Sequence, residues 1–407
     1  MPYEIWVYRL YDVAQEIDLS QIEAMLLRDH PMRRMRLSKV RSKALSFKNP
    51  PLTFQLPASS VSLQGHEIPV QVSGKLYDFG VLSISMRLLI RDASYDEMLD
   101  SLAASGYRQD MERPQQVMPS ELSKTAVDAD THPTMSASME VYNRLRQYAS
   151  ELMLDEPDRL DEVFERYRDE LIARVRPALS GGAYEGYIED FVIYVFDRWP
   201  SDWDPVPILL GEMGTVSEAM RREALRHTYS YSDDAVMVTW DSAIVSDPDG
   251  ANDVADLLEF AKAQLLELRY YDDLLDGELT QLYTALEGAP KGLTSGSVLF
   301  GRGRSRRTRE LMRRMMELIV EITEFTGRIE NALKVTHDYY YVRIYTGAQT
   351  LFRMKEWSES IGHKMDVLSQ HYQLLSDEST SQRFIWIDTL ILLLIAIEII
   401  IWLYTLK

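Results

Sequence analysis

NDVADLLEFAKAQLLELRYYDDLLDGELTQLYTALE, residues 252–287, decides the architecture. Val254, Leu258, Ala261, Leu265, Leu268, Leu275, Leu279, Leu282 and Leu286 recur three and four residues apart, with Asp272 as the one interruption. That spacing predicts a single helix of about ten turns with an apolar stripe. Before it the chain is broken into short runs rich in β-branched and aromatic residues. After it the periodicity is helical throughout. The chain therefore reads as α+β, a strand-bearing head followed by long helices.

Upstream, Glu4–Leu10, Leu52–Leu56, Ile68–Leu76, Val81–Ile90 and Tyr187–Phe196 are predicted strands. Leu19–Arg28, Ser94–Ser105 and Ser217–Leu225 are predicted short helices. Thr228–Tyr231 and Ala235–Trp240 form a predicted hairpin around Ser232, Asp233 and Asp234. Two segments look alike: YDFGVLSISMRLLIRDASYDEMLDSL (77–102) and YSDDAVMVTWDSAIVSDPDGANDVADLL (231–258). Their likeness predicts a duplicated head. One half covers 1–106 and the other 181–250. Between them, 107–180 is a polar linker with two helices, Ser138–Leu154 and Arg159–Arg176.

Downstream, Leu311, Met315, Leu318, Ile322, Phe325, Ile329 and Ala332 mark a second helix over 306–345. Leu351, Met354, Ile361, Met365, Leu368, Tyr372 and Leu375 mark a third over 349–377. Sustained stripes of this kind predict a coiled-coil-like, antiparallel three-helix stalk over 251–380. GAPKGLTSGSVLFGRGRS (288–305) is the loop between the first two helices, and a tight break is expected near Gly347. FIWIDTLILLLIAIEIIIWLYTL (384–406) then reads as a transmembrane helix. At ~1.5 Å per residue it is about 34 Å long, against a bilayer core of ~30 Å. Trp386 near one end and Trp402 and Tyr404 near the other suit an aromatic belt. With no apolar signal at the N-terminus, the expectation is a single-pass, tail-anchored protein whose head faces the cytoplasm, most simply at a bacterial inner membrane. Asp388 and Glu398 lie inside the span. Intramembrane acids are protonated and tolerated, hydrogen-bonded between neighbouring spans of an oligomer, or part of an ion path.

The 407 residues carry 44 basic and 63 acidic side chains and no cysteine. Disulfides, thiolate metal sites and cysteine nucleophiles are excluded. A net charge of −19 repels nucleic acid and anionic lipid except where basic residues cluster. Two clusters exist. Arg302, Arg304, Arg306, Arg307, Arg309, Arg313 and Arg314 form one, and Arg33, Arg34, Arg36, Lys39, Arg41, Lys43 and Lys48 the other. In an antiparallel stalk the first of these returns to the membrane end, facing anionic headgroups or a ribosomal or messenger RNA.

No GxSxG, Walker A, GxGxxG or HExxH pattern is present. The acidic pairs Asp272–Asp273 and Asp233–Asp234 have the chemistry of a Mg²⁺ ligand, but adjacent acids on a helix diverge. His363 and His371 are two turns apart, too far for a shared metal. Sequence alone thus assigns no catalytic residue, metal, cofactor or small-molecule substrate.

DDAVMVTWDSAI, the DYYY at 338–341 and IWIDTLILLLIAIEI together resemble the meiotic-nuclear-division membrane family over about 185–407. The matching positions are Trp240, Asp338, Tyr340 and Glu398. That resemblance implies a membrane-tethered, oligomeric, non-enzymatic protein, with a mitochondrial branch that supports translation. The expectation is a homo-oligomeric membrane scaffold that holds ribosomes or another partner. The alternative is a metal-dependent hydrolase acting on nucleotides or lipids.

Overall fold

A computed structural model describes residues 3–26, 32–35, 45–47, 49–90, 135–153, 158–181, 187–287, 301–335 and 339–405. The expected helix Ser94–Ser105, residues 107–134 of the expected linker, the 288–300 loop and Asp338 lie outside the described residues. So do Arg36, Lys39, Arg41, Lys43 and Lys48.

In chain order the first elements are β1 (Tyr3–Asp12), β2 (Glu16–Ile17), α1 (Leu19–Leu26), β3 (Met32–Arg34), β4 (Leu45–Phe47), β5 (Leu52–Gln55), β6 (Ser59–Leu63), β7 (His66–Leu76) and β8 (Val81–Ile90). Then come α2 (Met135–Met153), α3 (Asp158–Val175), β9 (Leu179–Ser180), β10 (Ile188–Phe196), α4 (Pro205–Leu209), α5 (Glu218–Ala224), β11 (Thr228–Tyr229), β12 (Ala235–Val238) and β13 (Ser242–Ser246). The chain continues with α6 (Asn252–Glu287), α7 (Gly301–Ala332), β14 (Leu333–Val335), α8 (Tyr339–Leu351) and α9 (Met354–Thr405). The fold is mixed α+β.

Among the described residues ten strands make one sheet, β11-β12-β13-β10-β1-β8-β7-β5-β3, with β6 added to β7. All its pairings are antiparallel except β10 with β13. The two similar segments enter this single sheet with different neighbours. β8 lies between β1 and β7, and β13 between β12 and β10.

β1 is central, and its residues are apolar in both alternations because both faces of the sheet are covered. Tyr3, Ile5 and Val7 join Ile84, Met86 and Leu88 of β8 and Val192, Tyr194 and Phe196 of β10 in a core closed by α2 and α3. The helices contribute Tyr142, Leu145, Phe164 and Leu171. Trp6, Tyr8 and Leu10 project to the opposite face. There the first half of α6 packs, with Phe260 against Tyr77 at a ring separation of 5.9 Å.

Short elements are held by local bonds. Asp204 caps α4, accepting from the Val206 amide at 3.2 Å, and pairs in a bidentate fork with Arg221 of α5 at 2.7 and 3.0 Å. Ser217 caps α5 by accepting from the Met220 amide at 3.3 Å. The hairpin forms as expected, and the Asp234 carboxylate closes its turn by accepting from the Tyr231 and Ser232 amides at 2.8 and 2.9 Å.

Two helix expectations are corrected. The second helix does not run through 306–345. It ends at Ala332, and Leu333–Val335 pair antiparallel with Leu45–Phe47. A strand partner almost 290 residues away supplies a ladder that no local pattern encodes. The break near Gly347 is instead at Arg353, whose φ of 54° ends α8. Gly347 lies within α8 because the helix passes close to β11: an added Cβ would sit 1.7 Å from the Tyr229 hydroxyl.

The chain forms two compact units, Met1–Glu267 with Asn331–Met354, and Leu268–Glu330 with Lys355–Lys407. In the second, Tyr271 of α6 packs against Phe325 of α7 at 4.5 Å, and Glu278 pairs with Arg314. Lys364 of α9 pairs with Asp272 at 2.9 Å, and Tyr283 meets His371 at 5.6 Å. Partners on α9 rise with position along α6, and those on α7 fall. So α6 and α9 are parallel and α7 is antiparallel to both.

The third helix and the apolar stretch that follows form one helix, Met354–Thr405. Among the described residues no helix is long and apolar enough to cross a membrane. The expected span falls largely on side chains outside them, those of 374–390, 393 and 400–407.

Gly80 gives a direct test of the first unit. Its φ is +105°, and an added Cβ would lie 1.8 Å from the Ala14 carbonyl oxygen. Backbone cannot swing aside as a side chain can. Gly80→Ala should therefore lower stability by at least about 2 kcal/mol, read as a shifted denaturation midpoint at unchanged slope.

Candidate functional site

The most unusual chemistry lies between the sheet and α6. Strand register aligns Lys75 with Ser83, Ser83 with Leu10, and Leu10 with Glu189, so one row across three strand boundaries carries a lysine at one end and a glutamate at the other. The helix lays the opposite charges on each. Lys75 Nζ lies 2.5 Å from Asp256 Oδ1 and also pairs with Glu259. Lys262 Nζ lies 3.3 Å from Glu189 Oε2. Its ammonium stands over the rings of Phe352, Phe191 and Trp240, with 4.8, 5.4 and 5.4 Å to their centroids. Further along, Gln264 accepts from the Tyr345 hydroxyl at 2.6 Å.

Glu259 and Lys262 are three residues apart, so a slip of α6 by three would set Lys262 against Lys75. The arrangement penalises that error with two like charges in a dry layer. Burial alone lowers the Lys75 pKa, but Asp256 and Glu259 outweigh it and hold the ammonium above the ordinary lysine value. Burial drives the Tyr8 and Tyr77 hydroxyls far above the usual tyrosine range, and Glu259 adds to it.

Asp12, at the end of β1, is also buried in this unit, and burial pushes its carboxyl up to about 7, the Ala14 amide offsetting part of the effect. The layer is closed apart from its Lys75–Asp256 end, where the two side chains are 11% and 16% exposed. Lys262 and Gln264 are 0% exposed, Glu267 1% and Glu259 2%, so a dissolved substrate does not reach them. What it does is fix a helix.

The residues singled out by sequence fall elsewhere. Asp272 and Asp273, with Asp276, each place one oxygen within 4.8 Å of the others. Lys364 Nζ, at 2.9 Å from Asp272 and 2.7 Å from Asp276, supplies the positive charge a metal would. Asp234 is a turn cap. Arg33 is exposed on β3 at the sheet edge, while Arg34 bonds Glu23 at 3.2 Å and the Pro50 carbonyl at 3.1 Å. Arg313 pairs with Glu310 and Glu317 at 2.6 and 2.8 Å, and Arg314 with buried Glu278. The side chains of Arg302, Arg304, Arg306, Arg307, Arg309 and Asp388 lie outside the described residues, and Glu398 is exposed.

Sequence reasoning passed over Lys75, Glu189, Asp256, Glu259, Lys262 and Asp12. A signal for part of the set was present. In LLEFAKAQLLEL (257–268) only Glu259, Lys262, Gln264 and Glu267 are polar, so apolar residues occupy every side of the helix. A helix apolar all round is a buried one.

A family model described as "Uncharacterized protein MJ0711, N-terminal domain" matches residues 3–143 and 134–253. The chain belongs to that family. Uncharacterized protein MJ0711 of Methanocaldococcus jannaschii is 24% identical over 252 residues, 59% of this chain and 74% of the relative. No solved structure matches. The matched region closes at the start of α6, so the family's domain is the sheet with the helices before α6.

This overturns the resemblance to the meiotic-nuclear-division family, to which none of these matches points. The features behind it have ordinary structural roles. Trp240 lines the Lys262 cage, and Tyr340 packs near Tyr231 at 6.1 Å and Tyr341 at 5.5 Å. A valine-rich hairpin, a tyrosine-rich helix start and an apolar helix recur in unrelated folds, so their order alone did not mark descent.

Two outcomes are expected. Lys262→Ala leaves Glu189 buried beside an empty aromatic cage, and should cost about 3–5 kcal/mol in chemical denaturation. The double change Lys262→Met with Glu189→Leu should recover most of that loss. For Asp12, the folded-state pKa is raised. Between about pH 4 and 7 the folded chain keeps a proton that the unfolded chain has lost, so stability falls as pH rises through that window and levels off above it. Asp12→Asn removes the titration. Its stability should gain on the parent's as pH rises from about 4 to 7 and hold that gain above, with a ceiling of about 4 kcal/mol at ~1.4 kcal/mol per pKa unit.

Proposed function

We propose that the chain is a membrane-attached scaffold, with α9 as the anchor and the sheet unit as the part that meets partners. One observation carries the reading. Ile391, Leu392, Leu394, Ile395, Ile397 and Ile399 are 44–67% exposed on α9. At about 100° per residue these six span roughly 220° of the helix circumference, and in the sequence Leu393, Ala396 and Ile400 fall on the remaining arc. A helix that is apolar all round and uncovered is stable in lipid, or inside an assembly of copies, and not in water. Glu398 lies among these residues and gives copies a hydrogen-bonding group, worth roughly 0.6–2 kcal/mol between helices in a bilayer.

The alternative, a metal-dependent hydrolase, has less support. Of the acids it would use, Asp272 and Asp276 pair with Lys364 and Asp234 accepts from turn amides. A ribosomal or RNA partner rests on the basic segments alone.

Deletion of 384–407 tests the reading. The full chain should stay in the membrane pellet after an alkaline carbonate wash, and the shortened chain should move entirely to the supernatant with its circular dichroism helix signal reduced only by the segment removed. A full chain released by carbonate would sink the proposal.

A further inference from the structure

The Arg-rich start of α7 is poorly placed unless an anion meets it. Residues 302–314 hold seven arginines and one glutamate, and subtracting their +6 from −19 leaves −25 on the rest of the chain. They open a helix with no acid in its first turn. A helix N-terminus carries about half a positive charge, and each further cation there is unfavourable by about 0.3–1 kcal/mol. The charges therefore fit an anionic ligand better than they fit an isolated helix.

Helix directions say where that ligand is. Arg314 pairs with Glu278, and Tyr283, five residues further along α6, meets His371 of α9. Because α7 runs against α6 and α9, Arg302 lies about 18 Å beyond Arg314 toward the end where α9 continues, at ~1.5 Å per residue. That is the level of residue ~378 on α9, about 9 Å along the axis from Phe384, where the apolar stretch begins.

We infer that Arg302, Arg304, Arg306 and Arg307 bind anionic phospholipid headgroups where α9 enters the bilayer. The inference rests on the anchor reading and adds the ligand. Basic residues beside such a surface gain about 1 kcal/mol each, and a strongly acidic protein needs them to approach one.

The absence of cysteine makes single-site labelling clean. Full-length Ser305→Cys, carrying a fluorophore, is reconstituted into phosphatidylcholine vesicles with or without phosphatidylglycerol and with a headgroup-linked quencher. Quenching should rise several-fold with phosphatidylglycerol. It should fall back at molar salt, where the screening length is ~3 Å. With Arg302, Arg304, Arg306 and Arg307 all changed to Gln, the phosphatidylglycerol response should vanish.

Ile395→Cys, read with an acyl-chain quencher, monitors the anchor and should behave alike in parent and Gln variant, which separates lost docking from misfolding. Quenching at 395 with no phosphatidylglycerol response at 305 overturns the inference and leaves the anchor standing. No quenching at 395 removes the anchor itself. If the parent binds single-stranded RNA more tightly than the Gln variant while position 305 stays unquenched, the cluster serves nucleic acid and the lipid inference fails.

Discussion

Lys262 of α6 is wholly buried, with Glu189 as its counter-charge and three aromatic rings around its ammonium. Lys75, on the sheet, answers to Asp256 and Glu259 on the same helix. Apolar packing alone would allow α6 to settle in several neighbouring positions, since its buried half is rich in interchangeable Leu and Ala. The crossed charges leave one. Desolvating them is costly, and that cost is offset only where both pairs close together. The pairs contribute less to total stability than to the choice of a single register.

That choice propagates through the first unit. With α6 fixed, β1 has cover on both faces and lies at the centre of a sheet whose other face is closed by α2 and α3. Its sequence, apolar in both alternations, suits no edge position. Arg9, between Asp161 of α3 and Asp190 of β10, ties the same strand to the helical layer. The family match ends at the start of α6, while the charge lock lies within α6.

In the second unit, polar pairs between the helices set direction. Glu278 with Arg314 and Asp272 with Lys364 alternate with the aromatic contacts of Tyr271 and Tyr283. Of the acids that look like metal ligands in the sequence, Asp272 pairs with Lys364, together with Asp276 one turn on. A carboxylate cluster is legible as charge, but whether an ion or an ammonium neutralises it depends on a residue about 90 positions away.

The sequence by itself determined the mixed α+β class, the long strands β1, β7, β8 and β10 with β5 and the β11–β12 hairpin, the helices α1, α2, α3 and α5, the full extent of α6 and the two basic clusters, but not β13 or the short strands β2, β3, β4, β6 and β9. What it determined rests on a local period or a local composition. Alternation, three-and-four spacing and caps such as Ser217 act within a few residues, so they can be read without the fold. Tertiary structure alone decided the rest. It joined the two similar segments in one sheet, paired Leu333–Val335 with Leu45–Phe47, and set Gly347 against Tyr229 rather than at a helix break. It also made Glu259 and Lys262, to which the sequence reading gave no role, the lock on the sheet. These outcomes turn on groups far apart in the chain meeting where water is excluded, and a charge reads the same in sequence whether it will face water or a counter-charge in a dry core.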